Sequence, residues 1–195
     1  MASQNQTPNC GMSILLIIFI CLSGQTQYPL ELRNNEVYVE ISGNSRRLIS
    51  TRDRTSDLAI QPNDVCQDVI EISFEKKLLI CHQRDFQFSK DDGWQLAGEI
   101  SGRTAKIQCR VNYKRKYFTI DLGYPGSLAT QTMSNKTGRG RGNFEFLGTY
   151  YRTPVKEERA ARIGVGFLKG FDWVIDFRSK KVYARKNNLP IDLIH

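Results

Sequence analysis

One carboxylate in this chain is set apart by its surroundings. In Phe118-Thr119-Ile120-Asp121-Leu122-Gly123-Tyr124-Pro125-Gly126-Ser127-Leu128, an apolar strand delivers Asp121 onto a glycine-containing turn, and the chain then re-enters an apolar strand. A carboxylate so placed can orient a water or move a proton. Hydrolysis by carboxylates alone takes two of them. A few ångströms apart they cannot both ionise, so one serves as base and the other as acid. The plainer alternative is that Asp121 is a turn aspartate bonding its own backbone.

The elements that would position these groups recur along the chain. Residues 37–41 (VYVEI) alternate as a strand does, and a turn and a second short strand lead to Thr51. Slide the sequence so that Thr51 falls on Asp121. Residues 107–111 (IQCRV) then match the first strand, residues 116–120 (KYFTI) match the second, and Leu58-Ala59 falls on Leu128-Ala129 with no gap. A strand, charged turn and strand at residues 69–80 (VIEISFEKKLLI) recur at residues 173–183 (WVIDFRSKKVY). Two motifs in the same order, twice, predict two related units. The first spans residues 35–90 and the second 107–190. A connection at 91–106 joins them, its turn marked by Asp91-Asp92-Gly93. The polar stretch at residues 134–143 (SNKTGRGRGN) reads as a mobile surface loop of the second unit.

The ordered set of segments resembles the bilobal aspartic-protease family of pepsin and retropepsin type. It is most similar to small secreted aspartyl-protease-family proteins of Bacteroidetes-type bacteria. The Asp121-Leu122-Gly123 turn after its apolar strand looks like the family's Asp-Thr-Gly segment, and Ile163-Gly164 looks like the apolar-Gly strand that crosses beneath it. Residues 63–72 carry a similar tail in the first unit. The resemblance implies a mainly β fold of two related, barrel-like lobes with a cleft between them. It also implies one aspartate per lobe, no cofactor, and peptide or protein segments as partners.

The chain departs from that family at the positions the chemistry needs. Thr51 stands where the first lobe's aspartate belongs, and Asp53 lies two residues late, about 6–7 Å along an extended segment. Leu122 replaces the hydroxyl residue that braces the two turns. Arg52 and Arg54, if close, would hold Asp121 ionised and oppose a shared proton. Asp121 is therefore a turn residue, a relic of a former site, or a working acid/base. The resemblance implies a degenerate peptidase homologue. An active enzyme using Asp121, in a dimer or with Asp53, is the alternative.

Composition bounds the remaining classes. The 195 residues are 40% hydrophobic and 25% charged, ordinary globular values. Residues 1–100 hold 9 Lys and Arg against 13 Asp and Glu, and residues 101–195 hold 19 against 7. The basic half invites a third reading, a non-enzymatic protein that binds an anionic surface. No nucleic-acid motif accompanies it, so a specific nucleic-acid partner is not expected. Residues 13–22 (SILLIIFICL) form an apolar run suited to a signal-peptide core, with small and polar residues after it. Residues 1–27 thus predict a cleaved signal or an N-terminal anchor, membrane contact through that segment alone, and a periplasmic, cell-surface or secreted destination. Downstream cysteines are Cys66, Cys81 and Cys109. Cys66 and Cys81 could pair in an oxidising compartment or remain buried thiols. Two histidines, His82 and His195, with no zinc-like spacing make a metal site improbable.

Overall fold

A computed structural model describes residues 25–48, 59–83, 86–87, 90–111, 113–130 and 139–193. Their strands are β1 (Thr26–Arg33), β2 (Glu36–Ile41), β3 (Asn44–Leu48), β4 (Ala59–Ile60), β5 (Val69–Ser73), β6 (Leu78–His82), β7 (Gln95–Ser101), β8 (Thr104–Val111), β9 (Lys114–Asp121), β10 (Leu128–Ala129), β11 (Arg139–Phe146), β12 (Thr149–Lys156), β13 (Arg162–Gly164), β14 (Phe171–Asp176) and β15 (Lys181–Lys186). Two one-turn helices, α1 (Pro62–Val65) and α2 (Val165–Leu168), precede β5 and β14. The protein is mainly β, as its alternating apolar pattern requires. Six strands close a mixed barrel in the order β8-β9-β13-β10-β12-β11, sealed where Glu145 of β11 pairs with Arg110 of β8. The remaining strands extend outward from it.

The barrel interior is filled by inward residues two apart on each strand. Ile107, Cys109 and Val111 of β8 face Phe118 and Ile120 of β9, Phe144 and Phe146 of β11, and Ile163 of β13, all buried. Phe167 of α2 packs against Phe144 at 5.0 Å and Phe171 at 5.3 Å between ring centroids, and the Trp173 indole donates to the Leu168 carbonyl at 2.8 Å. Burial pushes the pKa of the Cys109 thiol up, so it behaves as an inert apolar side chain.

The two hairpins β5–β6 and β14–β15 match in detail. The residue shift that carries Pro62 of α1 onto Val165 of α2 also carries Val69 onto Asp172 and Leu78 onto Lys181. Lys76 N donates to Ser73 Oγ in one turn, and at the shifted positions Ser179 N donates to the Asp176 carboxylate. Lys77 and Lys180 both hold a φ of 56°. The hairpins pair with each other through β5 and β14, Ile72 opposite Trp173 and Ile70 opposite Ile175, so exchanging them about Glu71–Val174 reproduces the register. Outward from this seam run β6, β1, β2, β3 on one side and β15, β7, β8, β9 on the other.

Three sequence expectations need correction. Ala59 does not take the part of Ala129. Residue 58 is outside the described residues, and β4 pairs parallel with β3 and leads into α1, as β13 pairs parallel with β9 and leads into α2. By contrast β10 pairs antiparallel with β13 and parallel with β12. Matching short apolar dipeptides cannot choose among such pairings. Second, Arg139 to Asn143 is not loop but the start of β11, paired residue by residue with β12. Alternating glycines are a period-2 pattern: Gly140 and Gly142 lie on the strand face that carries Phe144 and Phe146. Third, residues 91–106, read as a connection, contain β7, whose Gly98 meets Lys106 O so closely that a Cβ would lie 1.9 Å from it.

Cys66, at the end of α1, is disulfide-bonded to Cys81 of β6, with Cα atoms 5.3 Å apart. This resolves the alternatives left by the sequence. Residues 13–22 lie outside the described residues, and no described helix is long and apolar enough to cross a membrane.

Candidate functional site at the Asp121 turn

Asp121 is the last residue of β9, and its side chain is 2% exposed. Its position is fixed from below by β13, which runs parallel to β9 with Ile163 opposite Ile120 and Gly164 opposite Asp121. Behind Asp121 the chain loops over β13 and is stitched to it. Gly164 N donates to Ser127 O at 3.0 Å, Val165 N to Tyr124 O at 2.8 Å and Gly166 N to Gly126 O at 3.2 Å. The approach is too close for a side chain at 164. A Cβ there would stand 2.3 Å from both Gly126 O and Tyr124 O. This is the physical reason for glycine, since the backbone φ of −115° is open to any residue.

The Asp121 carboxylate is fully engaged. One oxygen accepts from Gly123 N at 3.0 Å, the turn bond expected of an aspartate two residues before a glycine. The other accepts from Arg162 Nη1 at 2.9 Å. Arg162 lies two residues before Gly164, on the same strand face. Its second terminal nitrogen pairs with Glu158, and its guanidinium lies 4.4 Å from the centroid of the Tyr124 ring. Burial works against the charge on Arg162, yet the Asp121 hydrogen bond and the field of Glu158 hold its pKa above the ordinary arginine value. Burial, with Glu158 and Asp121 close by, raises the pKa of the Tyr124 phenol.

The first half of the chain also reaches this turn. Arg47 of β3 donates to Gly123 O at 3.1 Å while pairing with Glu36 at 2.7 Å. Leu122 is buried, as is Ile163, so both serve packing. The structure thus brings together Asp121, Leu122, Gly123, Ile163 and Gly164. Thr51 and Asp53, with Arg52 and Arg54, lie outside the described residues.

Sequence reasoning missed Arg162 and Glu158. Their signal was present in part: they stand four apart, and Arg162 immediately precedes Ile163-Gly164. Only the parallel register shows that such an arginine meets the aspartate. Among the described residues, no three His, Cys, Asp or Glu side chains converge as a metal site would require. No model of a known protein family matches the chain, and no curated protein matches it.

Proposed function

We propose that this chain is an exported, catalytically degenerate homologue of the aspartic peptidases that binds extended peptide segments between two related halves. The observation that carries the loss of catalysis is the Arg162–Asp121 pair. A guanidinium stands against the carboxylate, and a backbone N–H holds its other oxygen. The peptidase mechanism needs that space for a second carboxylate and a shared proton. Support for the family reading comes from the apolar-Gly strand beneath the aspartate turn and from the paired hairpins that exchange about Glu71–Val174. The Cys66–Cys81 bond supports export, because such bonds persist in oxidising compartments.

The experiment has two arms. Purified protein is incubated with a denatured protein mixture between pH 3 and 7, with and without pepstatin, beside Asp121→Asn. No cleavage is expected from either. Pepstatin-sensitive cleavage by the wild type that Asp121→Asn abolishes would overturn the loss of catalysis. In the second arm, a fluorescein-labelled pool of unstructured peptides is titrated with the protein. Saturable binding, competed by unfolded and not by folded protein, is expected. Its absence would overturn the peptide-binding role.

A further inference from the structure

Away from the Asp121 turn, the outer face of the barrel has a second feature. Strands β9, β8, β11 and β12 lie side by side there, and their register aligns Arg115, Arg110, Glu145 and Tyr150 in one row across the face. Asn143 and Arg152 form a pair in the next row. An open groove of about 400 Å³ runs between Arg110, Tyr113, Asn143, Glu145, Tyr150 and Arg152. Glu145 lies 3.6 Å from Arg110 and steadies its guanidinium at the groove wall.

Two aromatic rings stand in solvent at this groove, Tyr113 at 94% exposure and Tyr150 at 71%. Tyr113 is the more informative. It is the second residue of the two-residue turn between β8 and β9, with a φ of 63°. That backbone region disfavours a side chain with a Cβ, and such turns ordinarily place glycine or asparagine there. Three other two-residue hairpin turns obey this. Gly43 holds the second turn position between β2 and β3, Gly148 between β11 and β12, and Asn35 between β1 and β2. Ser42, Lys77, Leu147 and Lys180 also hold positive φ in hairpin turns, but among the described residues only at the groove is the residue in this conformation aromatic, and its ring contributes nothing to the core. A large aromatic ring held in solvent at such a position points to a use for the side chain.

We propose that this face is a binding groove for an acidic polysaccharide, in which Tyr113 and Tyr150 carry sugar rings and Arg110 and Arg152 pair with the carboxylates or sulfates. Flat aromatic faces suit the C–H surfaces of pyranose rings. Arginine forks suit carboxylate and sulfate oxygens. The basic balance of residues 101–195, 19 Lys and Arg against 7 Asp and Glu, draws a polyanion to this half. The choice of a sugar polymer over nucleic acid rests on the export reading given above.

The test uses the protein with its disulfide intact. It is titrated with polygalacturonate, heparin, a neutral glucan and single-stranded oligo(dT), at low and at moderate salt. Binding to polygalacturonate or heparin is expected, to the neutral glucan none, with affinity falling as salt rises. Tyr150→Ala and Tyr113→Gly, which leave the charge unaltered, should each weaken binding at least fivefold. Arg110→Ala or Arg152→Ala should weaken it tenfold, whereas Lys181→Ala, an exposed cation outside the groove, should leave it within twofold. Tyr113→Gly should also leave the melting temperature unchanged or higher, which separates a ligand role from a structural one. Three outcomes would overturn the proposal: no acidic polysaccharide bound, binding indifferent to both tyrosines, or oligo(dT) bound more tightly through the same tyrosines.

Discussion

Arg162 donates to the Asp121 carboxylate at 2.9 Å, from the strand that runs parallel beneath the aspartate turn. The pair joins two segments some forty residues apart, and its carboxylate is nearly inaccessible to water. Removing one partner of a buried pair leaves a charge with neither water nor counter-ion, at a typical cost of 3–5 kcal/mol. Arg162 keeps some solvent contact, with 27% of its side chain exposed. Arg162→Met should therefore lower unfolding stability by about 3 kcal/mol, the bottom of that range. Asp121→Asn should cost less, about 1–2 kcal/mol, because Arg162 keeps Glu158 and an amide oxygen can still accept from Gly123 N. Urea unfolding of the three proteins measures both. An Arg162→Met protein as stable as wild type would show the pair to be of no structural consequence.

Gly164 tests the crossing itself. An alanine methyl would fall 2.3 Å from two carbonyl oxygens that are backbone and cannot turn aside. Overpacking of this kind costs about 3 kcal/mol or more when the backbone must move. Gly164→Ala should fold poorly or melt at least several degrees lower. A normal melt with unchanged near-ultraviolet circular dichroism would contradict the tight crossing.

Asp176 opens the turn between β14 and β15. Burial would raise its pKa, but the Arg178 side chain and the Ser179 backbone N–H outweigh burial and hold it below the usual aspartate value of 3.8. The folded state therefore binds this proton less readily than the unfolded state. Its contribution to stability is complete above pH 3.8 and disappears as pH falls through the lower, folded value. Asp176→Ser, which copies Ser73 at the matching turn, should keep the turn bond and make stability less steep in pH below 3.8. The measurement is the urea midpoint between pH 2 and 5 for both proteins. Identical pH slopes would remove Asp176 from the acid response.

The Cys66–Cys81 bond closes a loop with a sequence separation of 15. A loop of that size contributes about 3 kcal/mol by limiting the unfolded chain. Reduction, or the double change Cys66→Ala with Cys81→Ala, should lower the urea midpoint accordingly. Unchanged unfolding in reductant, with both thiols shown to be free, would contradict the bond's role.

What the sequence determined alone is local. Alternation of apolar residues set the β class. The hairpins at residues 69–80 and 173–183 could be matched by eye, because adjacent residues specify strand, turn and strand together. The Asp121 turn bond to Gly123 N is likewise a matter of two residues. The tertiary structure decided the rest. Barrel closure at Glu145–Arg110, the role of Ala59–Ile60 and the meeting of Arg162 with Asp121 all depend on pairing between distant strands. Parallel pairing in particular joins segments separated by long connections, so no neighbouring residue announces its register. That register is settled by which side chains fit one closed interior. The glycines of β11 show the same point, since in sequence they suggest a loose loop and in the barrel they belong to a strand paired residue by residue with β12.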